Sequence, residues 1–359
     1  MTGIFVTDCE GPISKNDNAF EISNWLIPEG DKFFALISRY DDVLADIVKR
    51  PGYKAGDTLK LIVPFLKAYG ATNKRMEFFS SETLVIVSGA GETLRYIRSI
   101  MPTFIVSTSY EHYIYALCEA IDFPKENVYC TEIDIDNYEL PEEEAERIKA
   151  LREEISKMPM IEIPYGAKSL EDLPLSTQRT VRRLDEIFWN EILKMKIGRA
   201  LREVNPVGGY EKAKAIKELT SIFDANVSSI MYVGDSITDV EPFRLVRSGG
   251  GLTVSFNGNQ YAVREAEIAV LSNHTIILAI LAEIFKKFGK ERVLNLAESW
   301  DFSTLIDYCS PVLLERLRSL YPERAPWIER VTSENMERLI RESIAFRKTV
   351  RGEAIGSLG

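Results

Sequence analysis

The sequence predicts an α/β fold built around a parallel β-sheet, and three short apolar runs carry that prediction. Each run ends at a small polar or acidic residue. The runs, with the residue that marks each tip, are 4–7 before Asp8, 104–106 before Ser107 and 230–233 before Asp235. Continuous apolar runs of this length are typical of strands buried on both faces. Because ligand sites of open α/β sheets lie beyond the carboxyl ends of the strands, the three polar tips are expected to meet in one crevice.

Composition and charge narrow the functional classes. The chain has 359 residues, of which 45% are hydrophobic and 27% are charged, and these values are typical of a globular protein with a packed core. The net charge of −10 argues against general nucleic-acid binding, which needs a dominant basic face. The sequence contains no run of about 18 uncharged apolar residues, and its N-terminus does not resemble a signal peptide. We therefore expect neither a membrane span nor secretion.

The cysteines and histidines limit the kind of metal site. Cys9, Cys118, Cys130 and Cys309 are widely spaced and form no CxxC pair. This pattern favours reduced thiols in a cytoplasmic protein over a disulfide framework or a zinc site. Because the chain has only two histidines, any metal is expected to be a hard cation held by oxygen ligands.

Apolar positions at helical spacing indicate additions to the core. Helical periodicity follows the first strand, and a second pair of helices with opposite charges begins at Pro141. In one interpretation the opposite charges of this pair face each other or water, and in the other they form a basic lid over a phosphate. Residues 83–87 and 133–135 are expected to form short strands. The predicted regions are a core of 1–13, 84–137 and 204–294, a helical cap of 14–83, a helical hairpin insertion of 138–203 and a helical C-terminal extension of 295–359.

A group of acids is predicted at the edge of the sheet. Asp8 and Glu10 follow the first strand, and Gly11 permits a sharp turn after them. Asp235 and Asp239 are spaced to lie on one face of a helix's first turn. Several carboxylates in one crevice repel one another unless a cation is present. Mg²⁺ meets that need, because it prefers carboxylate, water and phosphate oxygens.

Phosphoryl transfer is a chemistry that such a crevice can perform. An aspartate nucleophile can form an aspartyl-phosphate, which divides the transfer into two steps. The transition state spreads negative charge over the equatorial oxygens, so Mg²⁺, a lysine and a hydroxyl donor would supply most of the catalysis. Lys212, shortly after Gly208-Gly209, can add the second positive charge.

These residues resemble, in order and spacing, the four motifs of the haloacid dehalogenase superfamily. Asp8-Cys9-Glu10-Gly11-Pro12-Ile13 is similar to the first motif, normally Asp-x-Asp-Gly-Thr/Val. Ser107 matches the second motif, Lys212 the third, and Gly234-Asp235 with Asp239 the fourth. A helical insertion after the first motif is similar to the cap of the phosphoserine phosphatase branch. A further resemblance is to archaeal proteins described as a predicted hydrolase or as an energy-converting hydrogenase A subunit.

The resemblance implies a Rossmann-like core and a Mg²⁺-dependent phosphohydrolase that acts on a small phosphomonoester. The cap would close over the site and select the leaving group. The implied roles are Asp8 as nucleophile, Glu10 as general acid/base, Ser107 and Lys212 on the phosphoryl group, and Asp8, Asp235, Asp239 and the backbone carbonyl of Glu10 on the metal.

Two departures from the family pattern favour a second hypothesis. Glu10 replaces the family's second aspartate, and Pro12 replaces the usual threonine or valine. The general acid/base must protonate the leaving oxygen and then activate water, so its reach matters. Metal binding is therefore a firmer expectation than turnover. The alternative is a catalytically weak subunit or regulator of a larger complex, with the C-terminal helices as its partner surface.

Other residues compete for the same roles. Cys9 flanks the nucleophile, but strand alternation would point it away from Asp8 and into the core. The competing assignments are Ser88 against Ser107 for the hydroxyl, and Lys214 or Lys217 against Lys212 for the lysine.

Overall fold

The centre of the protein is a seven-stranded β-sheet. The computed structural model describes residues 3–164 and 166–357. The strands are β1 (Ile4–Thr7), β2 (Thr103–Tyr110), β3 (Val128–Thr131), β4 (Ile230–Gly234), β5 (Leu252–Phe256), β6 (Ile268–Leu271) and β7 (Trp327–Arg330). Their order is β3-β2-β1-β4-β5-β6-β7, in which all neighbours are parallel except the antiparallel pair β6 and β7. The predicted α/β fold with a mostly parallel sheet is confirmed.

The apolar runs are strands because helices cover both faces of the sheet. In β1, Phe5 belongs to the buried cluster on one face, whereas Ile4 and Val6 belong to the cluster on the other. Alternate side chains of a strand point to opposite faces, so a strand covered on both faces needs apolar residues throughout. β1 lies between β2 and β4, with Val6 opposite Phe104 and Tyr232.

Helices make up most of the remaining structure. Numbered along the chain, they are α1 (Asn18–Leu26), α2 (Gly30–Asp42), α3 (Thr58–Ala68), α4 (Asn73–Thr83), α5 (Ala90–Ile100), α6 (Glu111–Ile121), α7 (Glu142–Ser156), α8 (Leu175–Asp185), α9 (Arg199–Glu203), α10 (Gly209–Ile222), α11 (Val240–Ser248), α12 (Gln260–Glu265), α13 (Ile276–Phe288), α14 (Lys290–Ala297), α15 (Phe302–Leu305), α16 (Pro311–Leu320), α17 (Met336–Arg351) and α18 (Glu353–Gly356). Among the described residues, no helix is both long enough and apolar enough to cross a membrane.

Two of the short strands expected from the sequence do not form. Thr83 ends α4, and 84–88 carries only isolated bridges. This segment runs beside the other connection to the cap, where Lys15 N donates to Val85 O at 2.8 Å and Val87 N donates to Ile13 O at 2.9 Å. Residues 133–135 also lie outside the sheet, and a 3₁₀ turn begins at Ile135. In both segments the apolar pattern is typical of a strand. Their backbone groups, however, do not pair with a strand of the sheet.

The two helical insertions share one buried cluster, which runs through residues 19–79 and 133–204. Phe188 of the hairpin insertion packs on Tyr40 and Phe65, with ring centroids 5.8 and 6.1 Å apart. Asp185 accepts hydrogen bonds from Tyr40 Oη at 2.6 Å and Arg50 Nη1 at 2.9 Å. The insertions therefore pack against each other over an apolar interface with polar links at its edge.

The C-terminal region is mostly helical, as predicted, but it also contributes an edge strand. β7 pairs with β6 through four residue pairs, from Ile268 opposite Arg330 to Leu271 opposite Trp327. Helix α17 follows, and its Leu339 and Ile340 form a buried cluster with Val263 and with Ala269 of β6. A four-residue strand that contains two charges has too weak a pattern to be recognised without its partner. Through this strand the C-terminal region becomes part of the core sheet.

Candidate active site

Polar side chains at or near the carboxyl ends of three strands meet in one cavity. Asp8 follows β1, Ser107 lies in the second half of β2, and Asp235 follows β4. These three residues and Glu10 line a cavity of about 120 Å³. Other parts of its wall come from the cap, including Phe34 and residues 41–42 and 58–59. The cavity thus lies between the sheet edge and the cap.

Lys212 links two of the acids beneath this cavity. Its Nζ donates to Asp8 Oδ2 at 2.6 Å and to Asp239 Oδ1 at 2.9 Å, and its side chain is fully buried. Burial alone would lower the pKa of Lys212, but the carboxylates of Asp239 and Asp8 raise it above its usual value. The competing Lys214 and Lys217 are exposed on the same helix. The structure therefore places Lys212, and not its neighbours, at the site.

Asp239 uses both carboxylate oxygens to hold its surroundings. Besides Lys212, Oδ1 accepts a hydrogen bond from Tyr232 Oη at 2.7 Å. Oδ2 accepts from the backbone N–H groups of Asp235 at 2.8 Å and Ser236 at 3.0 Å. Sequence reasoning missed Tyr232, although its position two residues before Gly234 in a strand would have indicated which face it occupies. Asp239 thus orients the lysine and the loop that carries Asp235.

Asp8 is buried, and its side chain is held by the backbone that directly follows it. The backbone N–H of Cys9 donates to Asp8 Oδ1 at 2.7 Å. Burial raises the pKa of Asp8 to about 7, against the lowering effect of Lys212. Gly11 has a φ of +105°, and a Cβ atom there would lie 2.1 Å from Asp235 Oδ2. The turn after β1 can therefore approach Asp235 only because residue 11 has no side chain.

The residues present fit a divalent cation. One carboxylate oxygen from each of Asp8, Asp235 and Asp239 lies within 4.8 Å of the others, and all three residues are buried. Such a set of hard oxygen donors is the kind that Mg²⁺ prefers. Asp239 accepts more hydrogen bonds than Asp8 or Asp235, so Asp8 and Asp235 are the side chains with fewer contacts to exchange for a metal.

Glu10 points toward the start of the cap. Its Oε1 accepts a hydrogen bond from the backbone N–H of Asn18 at 2.7 Å. Burial raises the pKa of Glu10 well above its ordinary value, and the nearby carboxylate of Asp17 raises it further. A raised pKa favours the protonated form of a carboxyl group, and this form is the one that a proton donor requires.

The two serine candidates occupy different places. The Ser107 hydroxyl lies 3.1 Å from Ser109 Oγ, and both residues line the cavity. Ser88 lies at the junction between cap and core, where its carbonyl oxygen accepts from Thr275 N at 3.0 Å. Cys9 belongs to the buried core cluster, as strand alternation predicted.

Two arginines that sequence reasoning missed contact Asp235. Arg347 Nη1 donates to Asp235 Oδ2, and Arg351 Nη1 donates to the same oxygen at 3.1 Å. Both come from α17, about 110 residues farther along the chain, and both line the cavity. Their spacing of four residues places them on one helix face. No local signal in the sequence distinguishes them from the other basic residues of this helix.

The charged helices of the hairpin insertion lie away from the site. Arg183 Nε and Nη2 donate to the carboxylate of Glu154 at 2.5 and 2.9 Å, and Arg147 pairs with Glu191. None of the described residues of 138–203 lines the cavity. The hairpin charges therefore face each other, which favours the first interpretation of this pattern over a basic lid.

One solved structure is similar to this chain over its full length, and others match part of it. No protein-family model and no curated protein matches the chain. Among solved structures, gene product AF1437 from Archaeoglobus fulgidus matches 100% of this chain and 99% of its own, with 26% sequence identity and a TM-score of 0.81. A phosphoserine phosphatase in apo form matches 77% of this chain and 98% of its own, with 13% identity and a TM-score of 0.45. A phospho-aspartyl intermediate analogue of phosphoserine phosphatase matches 76% and 95%, with 13% identity and a TM-score of 0.46.

The sheet has the strand order β3-β2-β1-β4-β5-β6-β7, and the cap helices follow β1. Both features agree with the resemblance that the motifs carry. The chain therefore has an α/β fold with a mostly parallel sheet and helical additions, and it is similar in fold to gene product AF1437 over its full length.

Proposed function

We propose that this protein is a Mg²⁺-dependent phosphohydrolase that acts on a small phosphomonoester through an aspartyl-phosphate intermediate. The observation that carries the proposal is the cavity where Asp8, held by Lys212, faces Asp235 and the Ser107 hydroxyl. A nucleophilic carboxylate, a buried cation and a hydroxyl donor are the groups that this chemistry requires. Further support comes from Asp8, which directly follows β1, and from Ser107 late in β2, since ligands of open α/β sheets bind beyond the carboxyl ends of the strands.

In the first step, the Asp8 carboxylate attacks phosphorus while the bond from phosphorus to the leaving oxygen breaks. Glu10 donates its proton to that oxygen, which leaves as an alcohol. In the second step, Glu10 accepts a proton from water as the water attacks the aspartyl-phosphate, which releases phosphate and restores Asp8. The raised pKa of Glu10 suits the first of these transfers.

The other residues of the site would stabilise the negative charge of the phosphoryl oxygens or hold Lys212 in position. Mg²⁺, held by Asp8 and Asp235, would supply positive charge next to the phosphoryl oxygens. Lys212 and the Ser107 hydroxyl would bind those oxygens, and Asp239 would keep Lys212 in place. The cap residues across the cavity would surround the leaving group and exclude water.

The test measures phosphate release from a panel of small phosphomonoesters, with and without Mg²⁺. The wild type is expected to show metal-dependent turnover, and Asp8→Asn is expected to lose it because the amide cannot act as the nucleophile. Ser107→Ala should lower kcat/KM by about tenfold or more, since oxyanion donors contribute at that scale or above. Ser88→Ala is the matched control, and its turnover should remain at the wild-type level.

One observation favours the alternative of a catalytically weak subunit or regulator. Two guanidinium groups pair with Asp235, the carboxylate that would otherwise face the metal. If folded wild-type protein releases no phosphate from any compound of a broad panel, the phosphohydrolase proposal is wrong. The alternative would then be preferred.

A further inference from the structure

The C-terminal end of α17 reaches the candidate metal site, where Arg347 and Arg351 line the cavity. Arg347 is 4% exposed, and its Nη1 contacts both the side chain and the backbone carbonyl of Asp235. Earlier in the same helix, the Ser343 hydroxyl donates to Gly258 O at 2.6 Å. The helix is thus fixed to the loop after β5, with its last turns directed at Asp235.

The arginines balance the charge of the site without a metal. The three clustered acids pair with three cations, since Lys212 pairs with Asp8 and Asp239 while Arg347 and Arg351 pair with Asp235. A divalent cation on Asp235 would face two guanidinium groups at short range. Like charges at such distances repel strongly where water is excluded. The metal and the arginine contacts therefore compete for the same carboxylate, that of Asp235.

The two arginines are held with different strength. Arg351 Nε donates to Lys15 O at 3.0 Å and its Nη2 donates to Asn16 O, so it remains attached to the loop after β1 without Asp235. Arg347 depends on Asp235, and its buried Nε has no hydrogen-bond partner among the described residues. An unsatisfied buried donor costs free energy. Arg347 is therefore the partner that a metal would displace more readily.

We propose that Arg347 is a built-in competitor of the divalent cation at Asp235, so that metal binding displaces its guanidinium and loosens the end of α17. The proposal rests on the metal site of the proposed function, and it adds a link between that site and the C-terminal helix. It also explains why a charged helix end is buried beside carboxylates that could bind a metal directly.

The test is Mg²⁺ binding measured by calorimetry on the full-length wild type, Arg347→Gln, Arg351→Gln and Arg341→Gln. Arg341 is exposed on the same helix, so its variant is a matched control for loss of one positive charge. Arg347→Gln should lower the Kd for Mg²⁺ by roughly tenfold, because a charge-assisted hydrogen bond no longer has to break. Arg351→Gln should lower it less, and Arg341→Gln should leave it unchanged.

Hydrogen exchange on the wild type provides a readout that needs no variant. Saturating Mg²⁺ should increase amide exchange in residues 344–351 while protecting the loops that follow β1 and β4. Equal Mg²⁺ affinity in all four proteins, with unchanged exchange in α17, would overturn the competition but leave the phosphohydrolase proposal standing. If none of the four proteins binds Mg²⁺, the competition is also wrong, and the metal site of the proposed function fails with it. Phosphate release and its loss in Asp8→Asn test that function separately.

Discussion

Asp239 shows how one side chain organises the residues of the candidate active site. It accepts hydrogen bonds from Lys212, Tyr232 and two backbone N–H groups, and its side chain is fully buried. A buried carboxylate is tolerated when its oxygens are satisfied and a cation is nearby. Asp239 therefore contributes by positioning Lys212, which in turn contacts Asp8.

Tyr232→Phe tests this positioning role. The variant removes one hydrogen bond to a buried carboxylate, so the free energy of unfolding should fall by about 1 to 3 kcal/mol. The turnover number should also fall, because Lys212 is held less firmly. Urea denaturation and phosphate-release kinetics measure the two effects. Tyr129→Phe, which removes an exposed contact of 3.4 Å to Glu218, is the control and should change neither quantity noticeably. Unchanged stability and kinetics in Tyr232→Phe would contradict the role.

Asp41 is a buried acid on the cap side of the cavity. Its oxygens accept hydrogen bonds from Tyr53 Oη at 2.6 Å and from the backbone N–H of Gly56 at 2.9 Å. Burial raises the pKa of Asp41 to about 8, although both hydrogen bonds lower it. The folded protein therefore favours the protonated form of this side chain.

This shift predicts how stability depends on pH. Below about pH 4, Asp41 is protonated in the folded and unfolded states, and its stabilising effect is complete. As pH rises from about 4 to about 8, the unfolded state loses the proton that the folded state keeps, so the free energy of unfolding falls. Each unit of pKa difference corresponds to about 1.4 kcal/mol.

Asp41→Asn should flatten this dependence, because an amide does not titrate. Urea denaturation between about pH 5 and pH 8 would compare it with the wild type and with Asp31→Asn. Asp31 is an exposed carboxylate of the same helix, so its variant should keep the wild-type slope. Parallel slopes for Asp41→Asn and wild type would show that Asp41 does not carry the effect.

At the scale of elements, the turn after β1 brings the first motif against the fourth. Gly11 adopts a φ of +105°, a region that residues with a Cβ rarely enter. Its Cα also approaches Asp235 so closely that no side chain fits between them. The backbone conformation and the site geometry therefore depend on the same residue.

Gly11→Ala and Gly52→Ala separate these two requirements. Gly52 also has a positive φ, +74°, but a Cβ there would meet no atom within 4 Å. Both variants should lose about 1 to 2 kcal/mol of stability from backbone strain. Only Gly11→Ala should also lose Mg²⁺ binding and turnover, because its methyl group displaces Asp235. Denaturation and calorimetry measure these quantities, and equal metal binding in the two variants would contradict the explanation.

At the scale of the whole molecule, the cap and the hairpin insertion are separated in sequence but joined in space. Their buried residues form one cluster, and Asp185 links the hairpin to Tyr40 and Arg50. We propose that residues 14–83 and 138–203 form one cooperative cap unit over the sheet. Such a unit would open and close over the site as one body.

Phe188→Ala tests this unit. Phe188 is fully buried and stacks on Tyr40, so the change should destabilise the unit by about 3 to 5 kcal/mol. Hydrogen exchange should then increase in α2 and α3 as well as in α8, with a smaller increase in β1 and β4. Leu175→Ala is the control, since Leu175 is 71% exposed on α8. Faster exchange in 138–203 alone would show that the two insertions are independent.

The sequence by itself determined the parts of this protein whose signals are local. Buried parallel strands need continuous apolar runs, so the strands that end near Asp8, Ser107 and Asp235 were recognisable, as was the order of the motif residues. Lys212 was identified among three lysines because its place in the motif order, rather than its surroundings, indicated its role.

Only the tertiary structure decided which distant segments meet. The partners of 84–88, the joining of the two insertions and the strand β7 all depend on contacts between residues far apart in the chain. Arg347 and Arg351 reach Asp235 because β7 returns the chain to the sheet and directs α17 at the site. Periodicity reports which face of an element is buried, but it does not report which element covers that face. For this reason the three clustered acids could be predicted from the sequence, whereas the arginines that pair with Asp235 could not.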